Sequence, residues 1–95
     1  MSERDAYVQK LKAQLDEWNA EIDKLDARAR KAEGDARLRY EEQITSLRQQ
    51  QEDARTRLEQ IQSATDDAWG ELKAGMEKAW TDLKAGLDRA RSAFQ

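Results

Sequence analysis

The sequence predicts an all-α protein: a long antiparallel helical hairpin, packed as a coiled coil, that self-associates into a helical bundle. Three observations predict it. The 95 residues include no proline, the strongest helix breaker. Apolar residues recur at alternating steps of three and four through the first two thirds of the chain, and the last third repeats itself every eleven residues. With 39% charged and 38% apolar residues, alanine foremost among the latter, there is material for long helices and little for a broad globular core.

The first element is read as one helix over residues 2–62. Ser2, with Asp5 three positions on, makes a helix start. The stripe then runs Val8, Leu11, Leu15, Trp18, Ile22, Leu25, Ala29, Ala32 and Ala36, the heptad pattern of a helix that packs along a seam. It continues through Tyr40, Ile44, Leu47, Gln51, Ala54, Leu58 and Ile61. Two successive steps of four around Tyr40 relax the supercoil locally without ending the helix. Acid-before-base pairs at i,i+4 (Asp26 with Arg30, Glu33 with Arg37, Asp35 with Arg39, Asp53 with Arg57) solvate the outer face. Gly34 is the one place where this helix could turn, because glycine closes a helix readily and Asp35 could open the next. The pairs of Glu33 with Arg37 and Asp35 with Arg39 argue for continuity. A turn there would instead give three segments of nearly equal length and a three-helix bundle, which is the alternative fold.

The second element is a turn at residues 63–66, where Ser63 or Thr65 can cap and Asp66 and Asp67 suit the positive end of a helix. The third is an amphipathic helix over residues 66–94. Its repeat aligns DAWGELKAGME (residues 67–77) with KAWTDLKAGLD (residues 78–88), and eleven residues in three turns is close to the pitch of a straight helix. Trp69, Leu72, Met76, Trp80, Leu83, Leu87 and Phe94 fall on one stripe. Ala68, Gly75, Ala79 and Gly86 form a strip of small residues along one edge, which would let another helix approach closely. Lys73, Lys84 and Arg91 line the other edge.

These three elements make residues 1–95 a single helical unit. The long helix spans roughly 90 Å and the short one roughly 45 Å, so the short helix covers only half of the long one. Leu11, Leu15, Trp18, Ile22 and Leu25 would then be left for a second copy to bury, most simply in a two-fold dimer with antiparallel long helices. The apolar residues of all three segments are accordingly the expected core and self-association residues.

Composition narrows the function. No cysteine and no histidine occur, which removes disulfides, thiolate nucleophiles, imidazole bases and the usual zinc and haem ligands. The 17 basic and 20 acidic side chains nearly cancel to a formal charge of −3, whereas a nucleic-acid reader needs a basic excess on some face. Acidic doublets such as Asp16 with Glu17 diverge by about 100° on a helix and do not converge on one metal. The glycine spacing fits no phosphate loop, and no serine or threonine has a base to activate it. The sequence therefore predicts no enzyme, cofactor or metal.

The charged start at Glu3, Arg4 and Asp5 is unlike a signal peptide. No run approaches the ~20 apolar residues of a membrane span, and a cytoplasmic chain is expected. From Asp66 onward there are six acidic and five basic residues, so a membrane-surface role for the last helix is not favoured over packing on other helices.

Two stretches carry a resemblance: YVQKLKAQLDEWNAEIDKL (residues 7–25) and the repeat over residues 69–87. Together they resemble a family of small bacterial coiled-coil proteins, found in cyanobacteria and proteobacteria and often labelled stress-response proteins. The resemblance covers nearly the whole chain. It implies a helical, self-associating protein linked to stress, with no catalytic or binding residues to carry over. Gly34 departs from the helix former expected at its position. The repeat also resembles, more weakly, the eleven-residue units of exchangeable apolipoproteins, which would imply lipid binding. The expected function is a non-enzymatic structural or protein-interaction module, with peripheral lipid binding through the last helix as the alternative.

Overall fold

The first helix, α1 (Glu3–Lys31), starts where the sequence places it. The Ser2 hydroxyl accepts the Asp5 backbone N–H at 3.1 Å, and Glu3 and Asp5 sit at the positive end of the helix dipole. The computed structural model describes residues 2–94, so the extreme ends of the expected unit, Met1 and Gln95, lie outside the described residues.

The helix does not run on to residue 62. Ala32 and Glu33 are extended, Gly34 takes a left-handed φ of 63°, and a second helix, α2 (Gly34–Ser63), returns antiparallel to the first. The three-helix alternative is the fold, and the expected helix over residues 2–62 is corrected at this corner. The physical reason is burial. Folding α2 back encloses Leu11, Leu15, Trp18, Ile22 and Leu25, all 7% exposed or less, within the chain itself. At ~1.5–3 kcal/mol for each enclosed side chain, this outweighs the few helical hydrogen bonds lost at the turn. Glycine makes the turn cheap, because positive φ meets no Cβ. The length mismatch that left those five residues for a second copy therefore does not exist. Nor does the Glu33–Arg37 pair expected across Gly34: Arg37 reaches forward to Glu41 at 2.9 Å, while the pairs of Asp26 with Arg30 (3.2 Å) and Asp53 with Arg57 (3.0 Å) form as expected.

The second corner is longer than expected. Ser63 ends α2, with its hydroxyl donating back to the Glu59 carbonyl at 3.0 Å. Thr65 then caps: its Oγ1 accepts from the Ala68 N–H, and its carbonyl accepts from the N–H groups of Ala68 and Trp69. The third helix, α3 (Trp69–Ala93), thus begins three residues after the expected Asp66, because Thr65 organises Asp66 and Asp67 into a separate turn ahead of it. Arg4 closes this end of the bundle by donating to the Ala64 carbonyl and lying 3.7 Å from Asp66.

Helix α2 is central. It packs closely against both other helices, while α1 and α3 run parallel and meet mainly through long side chains. The small-residue strip explains the close α2–α3 seam. A methyl group added at Gly86 would stand 3.1 Å from Leu47 and 2.6 Å from the Gln50 amide oxygen, and one at Gly75 would stand 3.0 Å from an Arg57 guanidinium nitrogen. Fully enclosed side chains lie on every helix: Ile22 on α1, Leu58 and Ile61 on α2, and Met76, Leu83 and Leu87 on α3. Ile44 and Leu47 are buried beside them. The bundle measures 51 × 20 × 18 Å with a radius of gyration of 15.3 Å, above the roughly 12 Å of a spherical chain of this size.

At Gly75 the facing atom is the free end of a flexible side chain, so it can yield. Gly75→Ala is therefore expected to stabilise the protein by about 0.5–1 kcal/mol through helix propensity. That would appear as a rise of a few degrees in thermal melting, and a fall would mean that Arg57 is fixed against the glycine.

Candidate interaction surface

The α3 stripe is not uniformly enclosed. Leu72 is 36% exposed, and Trp69, Trp80 and Phe94 are only half-buried. The expectation that all seven large residues are core is corrected for Leu72, while Trp69, Trp80 and Phe94 pack against the core from its partly exposed edge. Leu72, Trp69 and Phe94 lie in the end turns of α3, and Trp80 leans towards the seam with α1. There the two backbones stand apart and large rings fill the gap: Trp18 and Trp80 have centroids 4.7 Å apart, and Tyr7 and Trp69 6.0 Å apart. At the far end, Tyr40 of α2 meets Phe94 at 4.2 Å.

Along this α1–α3 seam runs a groove of about 390 Å³ between Tyr7, Lys10 and Gln14 on one side and Glu77, Trp80 and Thr81 on the other. The Lys73 ammonium lies 5.2 Å from the Tyr7 ring and 5.7 Å from Trp69, within cation–π range of both. Burial raises the Tyr7 hydroxyl above its ordinary pKa, and the negative charge of Glu77 adds to the effect. Further along, a groove of about 510 Å³ is lined by Glu21, Lys24, Leu25, Arg28, Lys31 and Arg91.

Arg91 ties the two helices together. Its Nη2 donates to Glu21 Oε2 at 2.6 Å, its Nε donates to the other oxygen of the same carboxylate, and its Nη1 reaches Asp88 at 2.7 Å. These hydrogen bonds hold the Glu21 carboxyl below its ordinary pKa, although partial burial opposes them, and the same bonds raise Arg91. A carboxylate favoured in its charged form stabilises the fold above its unfolded value and loses that contribution as the pH falls through the folded one. Stability is thus expected to decline below about pH 4.5. Glu21→Gln should flatten that decline and cost about 1 kcal/mol or less at neutral pH, since the pair is partly solvated. Acid titrations of both proteins followed by circular dichroism check this.

The close α1–α2 seam has a polar lock of its own. Gln51, 5% exposed, sits in the apolar stripe and donates its amide N–H to Asn19 Oδ1 at 2.9 Å. Arg48 reaches Asp23 at 2.7 Å beside it. Sequence reading placed Gln51 on the stripe and Lys73 and Arg91 on one edge of α3. It missed Asn19, Glu21 and Tyr7 as their partners, because residues 32 to 70 positions apart meet only once the register of three helices is set.

Among the described residues, no group of three acidic side chains could hold a metal ion, and no helix is long and apolar enough to cross a membrane. Compared with known proteins, the chain matches no family model, no curated protein and no solved structure.

Proposed function

We propose that the chain is a non-enzymatic structural and protein-interaction module that associates with copies of itself, with a dimer as the favoured assembly, and acts in the bacterial cytoplasm in a setting linked to stress. The α1–α3 seam carries the interaction reading. It leaves Tyr7, Trp69 and Trp80 partly in water, framed by Lys10, Lys73 and Glu77. Half-buried aromatic side chains with a charged rim are what protein interfaces favour.

Composition supports the non-enzymatic part. There is no imidazole or thiol, and Arg91 drives Glu21 towards its charged form, away from the near-neutral pKa that suits a general acid or base. The bacterial and stress-related parts rest on the resemblance of residues 7–25 and 69–87. A chain without cysteine is compatible with the cytoplasmic part. Lipid binding by α3 would require Met76, Leu83 and Leu87, which are fully enclosed, to leave the core.

Sedimentation equilibrium from micromolar to millimolar protein, with and without anionic vesicles, tests the reading. The expected result is a mass rising from 11.0 kDa towards twice that value with concentration, and no protein on the vesicles. A constant 11.0 kDa would refute self-association, and co-flotation at low salt would favour the lipid-binding alternative.

A further inference from the structure

The corner between α1 and α2 is held by little besides Gly34. Glu33 precedes α2 without capping it by its side chain, and a Cβ at Gly34 would have no neighbour within 4 Å, so the space beside Gly34 is open. Yet the apolar stripe crosses the corner unbroken. Leu25, Ala29, Ala32, Ala36 and Tyr40 keep their steps of three and four, and on a straight helix the apolar residues of α1 and α2 would share one sector of about 120°. Straightening would also restore helical hydrogen bonds across residues 32–37. It would set Glu33 against Arg37 on one helix in the favourable order.

We infer that the corner at residues 32–34 is a hinge through which two copies exchange α1, so that α1 of each lies on α2 and α3 of the other. The inference rests on the reading of the chain as a self-associating module. Every contact that α1 makes with the rest of the bundle can be remade between copies: Trp18 on Trp80, Asn19 with Gln51, Glu21 with Arg91. The register of Asn19 with Gln51 and of Arg4 with Ala64 is centred on residues 35 and 34, so the two straightened helices cross at the hinge itself. Ala29, Ala32 and Ala36 are small enough there for close approach. The assembly is a closed two-fold dimer, in which the same surfaces of both copies are used.

The corner needs a residue that tolerates positive φ, and the straight helix does not. Gly34→Ala strains the closed form whatever the space around it and favours the open one. Ala36→Pro does the reverse. It lies in the first turn of α2, where its N–H has no helical partner, but it would interrupt a straight helix.

Sedimentation of the unsubstituted 95-residue chain and both variants is paired with a mixing experiment. Lys12→Cys chains are mixed with Glu59→Cys chains and treated with a short thiol cross-linker; both positions line one α1–α2 groove, and the chain has no other cysteine. The expected results are dimerisation tightened at least about 100-fold by Gly34→Ala and weakened at least about 100-fold by Ala36→Pro, with cross-links between the two kinds of chain. Dimers that ignore both substitutions and give no such cross-link overturn the hinge but leave the self-associating module standing. Chains that remain monomeric in all three forms overturn both. Ala36→Pro retains the closed fold, so the comparison holds even if Gly34→Ala aggregates.

Discussion

Trp18→Ala is expected to cost about 3–5 kcal/mol, the range for removing a buried tryptophan. A 95-residue domain has roughly 5–14 kcal/mol in all, so this single change removes a large share of it. The indole is 7% exposed and lies against Trp80 at 31° between ring planes, in the one seam where backbones do not approach closely. No neighbouring main chain can collapse into the space it leaves. Trp80→Ala should cost less, because that ring is already partly in water, and the double variant should fall short of the sum by about 0.5–1.5 kcal/mol. Urea denaturation followed by far-ultraviolet circular dichroism measures all three. A Trp18→Ala cost below about 1 kcal/mol would mean that α1 is held almost entirely by α2.

Leu83→Asn is expected to cost about 3–6 kcal/mol although the side chains are similar in size. Leu83 is fully enclosed in the apolar cluster. The change loses the burial of a leucine, about 1.5–3 kcal/mol, and leaves an amide without partners, at a further ~1–3 kcal/mol. Gln51 makes the contrast. It is nearly as deeply placed, but Asn19 answers its amide and keeps Arg48 as a second donor, so Gln51→Leu should be near neutral in stability while loosening the α1–α2 register. The same denaturation measurement applies. A cost for Gln51→Leu as large as that for Leu83→Asn would overturn the near-neutral expectation and show that the Asn19 hydrogen bond is a main support of the fold.

The helical class, the capping of α1 by Ser2, the role of Thr65 near the second turn and the strip of small residues were all legible, because each depends on neighbours within a turn or two of the same helix. The first corner was legible only as the alternative, a turn at Gly34. Propensity, the stripe and the i,i+4 spacing of Glu33 and Arg37 across Gly34 all describe a straight helix, and they describe it correctly as a local preference. What overrides them is the burial of residues 8–29 against a helix folded back from Gly34, a gain that appears only when segments far apart in sequence are brought together. The seam followed the same rule. The edge formed by Lys73 and Arg91 was visible on the helix wheel, but the wheel does not show that Tyr7 and Glu21 stand opposite.

The central place of α2 has a kinetic consequence. Either neighbouring hairpin can form first, since each needs only one short loop and contacts between adjacent segments, so folding has two parallel routes and should be fast. On the ribosome the choice vanishes. The leading pair of helices is complete before the last one emerges, and α3 then docks onto a template already formed.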